Sequence, residues 1–154
     1  MNHKTMTMGT QKSIALIAHD SMKDDLLEWA SENREALAQR TLYATGTTGR
    51  LLSTELGIEI HNMQSGPLGG DLQIGAKIAE GKIDVLIFFW DPLEAQPHDP
   101  DVKALLRMAV VWNIPAATNR ATADFIFSSL FMGQPYRRVV PDYSGHLKRM
   151  DGKI

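Results

Sequence analysis

Cysteine is absent from this 154-residue chain. That excludes a disulfide framework, a thiolate metal site and a thiol nucleophile. Long apolar runs are missing too: the longest, Val85–Trp90, falls far short of the roughly 20 residues that cross a bilayer as a helix. There is no excess of positive charge. Sixteen Lys and Arg face 18 Asp and Glu, for a formal net charge of −2, so the electrostatic footprint of a nucleic-acid binder is lacking. The first twelve residues contain no apolar signal-peptide centre. No linker, internal repeat or low-complexity tract divides the chain. These absences predict one cytoplasmic domain over 1–154, with 1–12 a flexible N-terminal segment and 144–154 a tail, and with no membrane or nucleic acid as partner. At 44% apolar residues, a chain of this size buries roughly 68–70% of the surface it exposes when unfolded, enough for one core.

What is present is an alternation of short apolar runs with longer helical patterns, the signature of a parallel sheet with crossover helices. Strands are expected at Ile14–Ala18, Thr41–Ala44, Ile58–Asn62, Val85–Trp90 and Ile114–Ala117. The third should be an edge because it carries Glu59 and His61; the fourth, apolar throughout, should be central and buried on both faces. Met22, Leu26, Trp29, Ala30 and Leu37 recur at helical spacing behind a Ser21…Asp24 cap. Further helices are read around Leu51–Leu56, over 70–80, from an Asp99-Pro100 start through Val110, and over 122–130. The fold class is α/β: a three-layer, doubly wound (Rossmann/flavodoxin-like), mainly parallel sheet of about five strands.

In such folds, ligands bind outside the carboxyl ends of the strands, and here every loop at those ends is polar or glycine-rich. Thr45-Gly46-Thr47-Thr48-Gly49 suits an oxyanion: its glycines admit close approach of N–H groups, its hydroxyls add donors, and a helix start follows. It is neither a Walker A loop nor a GxGxxG fingerprint. Ser65-Gly66 offers a second donor set, and Lys23 could add a positive charge, together suggesting one phosphate instead of a nucleotide. Asp71 opens a helix, where capping is its bland role. After Val85–Trp90 the chain discharges into Asp91, Glu94, His98, Asp99 and Asp101, a cluster suited to proton transfer. His98 at a helix start could act as a neutral hydrogen-bond donor. Asp91, His98, Asp99 and Asp101 could instead ligate a metal, although the spacing is unlike the usual motifs. His3, His61 and His146 have no acidic sequence neighbours and read as surface or core-edge residues.

Taken in order, His19-Asp20 with Lys23, Tyr43–Gly49, Ser65–Asp71, Gly81–Pro92, Pro97–Arg107 and Asn113-Ile-Pro…Ala-Thr-Asn119 resemble the methylglyoxal synthase family. The resemblance implies a homohexameric α/β enzyme that converts dihydroxyacetone phosphate into methylglyoxal and inorganic phosphate with no metal or organic cofactor. It implies that Lys23, Thr45, Gly46, Thr47, Thr48, Ser65 and Gly66 hold the substrate phosphate, bordered by His19 and Asp20. The family's catalytic aspartate falls on Asp71 and its site histidine on His98; Asp101 and Asp91 match further acidic positions. Inhibition by phosphate would carry over, and Arg149 could serve the coupling between subunits. The resemblance leaves two rival readings: an isomerase sharing the enediolate, and a non-catalytic effector-binding module of the same fold.

Overall fold

The computed structural model describes residues 2–145; Arg149 and His146 lie outside the described residues. Five parallel strands form the main sheet: β2 (Ile14–Ala18), β3 (Leu42–Ala44), β4 (His61–Asn62), β5 (Val85–Phe89) and β6 (Ala116–Ala117), in the spatial order β4-β3-β2-β5-β6. The helices are α1 (Lys23–Glu32), α2 (Arg34–Ala38), α3 (Gly46–Leu56), α4 (Gly70–Ala79), α5 (Asp99–Val111) and α6 (Arg120–Ser128). Among the described residues, no helix is long and apolar enough to cross a membrane.

The alternation of side chains along a strand divides the core. Ile14, Leu16, Ile87 and Phe89 point to one face and pack with Leu26, Trp29, Leu37 and Leu52 from α1, α2 and α3. Ala15, Ile17, Leu86 and Phe88 point to the other and pack with Ile74, Ile78, Val102 and Leu105 from α4 and α5. β2 and β5 are buried along their whole length, which is why both read as uninterrupted apolar runs. Their register sets Leu16 opposite Ile87 and Ala18 opposite Phe89.

Several sequence expectations need correction. The middle position of the sheet belongs to β2, with β5 beside it. Both edge strands are trimmed to two residues: β4 keeps only His61–Asn62 of the run from Ile58, and β6, read as a core strand, is the opposite edge. The helical pattern from Met22 to Leu37 is broken at Asn33, which separates α1 from α2. The cap of α5 is His98, one residue earlier than expected, with Asp99 as its first residue. Ser21 caps nothing: it lies in a 3₁₀ turn, Asp20–Met22, and its hydroxyl is engaged elsewhere.

The segment expected to be flexible contains a strand, β1 (His3–Met8), which pairs antiparallel with β7 (Tyr136–Pro141), setting Met8 against Tyr136. The buried side chains of this ribbon, Met8, Arg138 and Val140, tie it to the body of the molecule. Arg138 is buried with its Nη1 donating to the Trp112 carbonyl at 2.6 Å and its Nε without a partner. Burying a cation is tolerable only with such a partner.

Candidate active site

From β2 the chain winds outward to β3 and β4, then returns to β5 and winds outward to β6. The strand order therefore reverses between β2 and β5, and a crevice opens at their carboxyl ends, the general location of ligand sites in open α/β sheets. A small cavity of about 70 Å³ lies there. The loop after β2 supplies His19, Asp20 and Lys23; the loop after β3, Thr45 and Thr47; the loop after β4, Ser65, Gly66 and Asp71; the loop after β5, Gln96 and His98. A larger, mostly apolar cavity of about 320 Å³ sits at the opposite ends of the strands, against Met8, Lys12, Val85 and Ile114. Size does not make it the reactive site, because it gathers no acid–base set.

Two close backbone approaches build the glycine–threonine end of the crevice. Gly46 N–H donates to the Gln64 carbonyl at 3.0 Å, and Met63 N–H to the Ala44 carbonyl at 2.8 Å, stitching the loops after β3 and β4 together. A side chain on Gly66 would place its Cβ 2.8 Å from His98 Nε2, closer than real Cβ contacts, so glycine there lets the backbone lie against the imidazole. Thr45 is the N-cap of α3, and the first N–H groups of a helix have no intrahelical partner. With the Gly46 N–H given to Gln64, those of Thr47 and Thr48 are left at this helix start, where Thr45 and Thr47 line the crevice beside Ser65 and Gly66. Lys23 Nζ is hydrogen-bonded to Asp20 Oδ1, and that ammonium holds the Asp20 carboxyl below its ordinary range.

The other end carries the acid–base groups. Asp71 sits in the first turn of α4, yet the cap of that helix is Gly69 and no side chain caps it. The carboxylate is 1% exposed and its Oδ2 has no hydrogen-bond partner. His98 Nε2 is 3.7 Å from that oxygen. Burial pushes the Asp71 carboxyl up; His98 opposes the shift and Asp101, in the first turn of α5, adds to it. His98 Nδ1 and His19 Nε2 are also buried without partners. Burial lowers His19's affinity for a proton, as does His98, whose ring meets that of His19 edge-on at 5.8 Å. Because buried polar atoms are ordinarily paired, three orphans on three residues lining one cavity mark a place made for polar ligand atoms.

Most of the sequence-derived residues converge here, with four departures. Thr48 is wholly buried and its hydroxyl donates to the Ala18 carbonyl at 3.4 Å, so it ties α3 to β2. Gly46 serves by its backbone. Asp91 does not line the cavity; its carboxylate accepts from Ser21 Oγ and the Leu93 N–H. Asp101 acts on Asp71 through its charge without lining the cavity. Sequence reasoning missed Gln96, which is held at the rim because its N–H donates to Asp99 Oδ2 at 3.1 Å. Its signal was only its place between two prolines in the acidic segment. Among the described residues, no group of three His, Cys, Asp or Glu is arranged to hold a metal ion.

Comparison with known proteins shows the family. Residues 25–118 match the model of the MGS-like domain family. The chain is 61% identical over 147 residues to a methylglyoxal synthase of Vibrio cholerae, covering 96% of this chain and 97% of that one. It is 57% identical over 148 residues to the methylglyoxal synthase of Pectobacterium atrosepticum, at 96% and 97% coverage. A crystal structure of methylglyoxal synthase from Elizabethkingia anophelis superposes with a TM-score of 0.88 at 54% identity, covering 95% of this chain and 96% of that one. With its sheet, its switch-point crevice and these relatives in agreement, the chain belongs to the methylglyoxal synthase family of lyases.

Proposed function

We propose that the protein converts dihydroxyacetone phosphate into methylglyoxal and inorganic phosphate, as one 1–154 catalytic unit. The observation that carries this reading is the buried Asp71 carboxylate, its Oδ2 without a hydrogen bond, placed beside His98 in a small crevice lined also by the glycine–threonine loop. A carboxylate whose proton affinity is raised by burial is a stronger base than one in water. Asp71 takes a proton from the hydroxymethyl carbon, on the side of the carbonyl away from the phosphate ester, which gives the enediolate. His98 and His19 donate to the enediolate oxygens, stabilising charge where it develops. The enediolate's electrons then form a new C=C bond while the C–O bond to phosphate breaks, and that bonding pair leaves with the phosphate. The resulting enol takes back a proton to give methylglyoxal. No oxidant, reductant or metal enters the balance.

Elimination is fastest when the breaking C–O bond stands perpendicular to the enediolate plane. Lys23, Thr45, Thr47, Ser65 and Gly66, with Gly46 and Thr48 fixing the loop around them, hold the phosphate in that position and stabilise it as it departs. Asp20 tethers Lys23, and Asp101 tunes Asp71. The released phosphate, returning to the same donors, inhibits by competition. The reading includes a homohexamer, in which exposed apolar side chains such as Leu93 at 95% exposure and Val110 and Phe125 at 80% each are candidates for burial between subunits. The reading also assigns a cytoplasmic location, where a triose phosphate is met.

The test is to incubate chelator-treated protein with dihydroxyacetone phosphate and follow methylglyoxal and inorganic phosphate together. Equal release of both, lost in Asp71→Asn, is the expected result. Glyceraldehyde 3-phosphate without phosphate release would establish an isomerase, and binding without turnover an effector module. Light scattering of the same preparation gives the mass, expected at six times that of the chain.

A further inference from the structure

Asp91 was singled out as an acid, yet its carboxylate is turned away from the cavity, and its atoms are bonded in a way that bears on His19. His19 Nδ1 accepts a hydrogen bond from the backbone N–H of Asp91 at 3.1 Å. A nitrogen that accepts carries no proton, and a backbone N–H can only donate. The ring is therefore the neutral tautomer with its proton on Nε2, the buried atom that has no partner and belongs to the cavity wall. A second proton on Nδ1 would set two N–H groups against each other.

The N–H of Asp91 is held in place by the side chain of the same residue. Its Oδ1 accepts from the Leu93 N–H at 2.9 Å, closing the turn, and its Oδ2 accepts from Ser21 Oγ at 2.6 Å. Ser21 follows His19 by two residues, and the His19 N–H in turn donates to the Phe89 carbonyl, two residues before Asp91, at 3.2 Å. Three bonds thus lash the loop after β2 to the loop after β5 across the switch point. Accepting from Ser21 and Leu93 also holds the Asp91 carboxyl below its ordinary range, so the latch is made by the carboxylate.

We propose that Asp91 and Ser21 are positioning residues: together they fix the His19 ring as a neutral Nε2–H donor to the substrate, and Asp91 itself transfers no proton. The inference rests on the proposed reaction only for what the donor is used for; the tautomer is independent of it.

The test therefore reads the tautomer directly. The protein labelled with ¹⁵N in histidine, its His19 signals assigned by their loss in His19→Gln, is compared with Ser21→Ala, Ser21→Thr, Asp91→Ala and Asp91→Asn by nitrogen–proton correlation spectroscopy. In the parent protein the proton is expected on Nε2. Asp91→Ala and Ser21→Ala should admit the other tautomer or the imidazolium, and lower kcat roughly tenfold, the loss of about one hydrogen bond's worth of positioning. Asp91→Asn, which still offers Oδ1 to Leu93, and Ser21→Thr, which keeps the hydroxyl, should restore most of both readouts. A proton on Nδ1 in the parent, or an unchanged tautomer in Asp91→Ala, would overturn the proposal. So would an Asp91→Asn variant as inactive as Asp91→Ala, the mark of an acid or base. If the parent releases no methylglyoxal, the spectra still decide the tautomer, so the failure of the reaction and that of the latch are distinguishable.

Discussion

The two ends of the sheet bury ionisable groups in opposite ways. At the amino-terminal ends of the strands, Lys12 is 3% exposed, and its ammonium donates to the Gly9 carbonyl and, at 2.6 Å, to that of Gln134; Arg138 is held by Trp112. At the carboxyl ends, Asp71 and the two histidines keep buried polar atoms that nothing in the chain satisfies. Both ends bear a desolvation cost: burial lowers the proton affinity of Lys12 and Arg138 and raises that of Asp71. The first end offsets much of that cost with its own backbone, although Arg138 Nε is buried without a partner. What sets the carboxyl end apart is that its unpartnered atoms, on Asp71, His19 and His98, belong to residues lining one cavity.

The largest effect that would sharpen this contrast is expected of Asp71→Asn. Removing a positioned base costs about 10²–10⁴-fold in kcat, while removing an unpartnered buried charge should stabilise the fold. For a chain of this size, each kcal/mol gained raises Tm by about 2–4 °C. Loss of activity together with a lower Tm would break the comparison. Next comes Gly66→Ala, whose methyl must displace His98; misplacement by about 1 Å can cost 10²-fold. It should lower kcat in steady-state assays with little change in melting. Lys23→Met should act on KM, raising it about tenfold or more as a charge-assisted contact to phosphate is lost.

At the other end, Lys12→Met takes the charged donor from the Gly9 and Gln134 carbonyls. It should cost about 1–3 kcal/mol in denaturant unfolding with kcat unchanged; a loss of activity at full stability would mean that this end also serves the chemistry. The smallest effect is a pH dependence. Asp71 holds its proton more tightly folded than unfolded, so between the ordinary carboxylate range and its raised value the native state binds more protons, and stability falls as pH rises. That slope should vanish in Asp71→Asn, and the acid limb of kcat/KM in the parent should lie above the ordinary carboxylate range.

The carboxyl end of the sheet was legible because its signals are local. Each loop follows an apolar run at once, and Gly46, Gly66 and the threonines announce close backbone approach without knowledge of what lies opposite. Where partners are distant the sequence misleads. Ser21 with Asp24 fits a capping pattern, but the hydroxyl meets Asp91, 70 positions away. Lys12 reads as a tail lysine because its partner Gln134 is 122 positions away. The first strand reads as a flexible segment because Thr and Met alternate over only Thr5–Met8, and its partner Tyr136–Pro141 is remote in sequence. The edge strands β4 and β6 were overestimated because apolarity reports burial, and residues such as Ile58 and Ile114 are buried beyond the last ladder bond.

The ribbon of β1 and β7 has a kinetic corollary. Its two strands come from nearly opposite ends of the described chain, and a two-stranded pair is marginal in water by itself. Closing so long a loop from an unfolded chain is entropically costly, although each doubling of length adds only about 0.6 kcal/mol. The ribbon therefore gains by waiting until the parallel sheet has shortened that loop, and should form last. Pulse-labelled hydrogen exchange during refolding should protect the amides of Leu16 and Ile87 before those of Thr5 and Val139, and native-state exchange should release them in the reverse order.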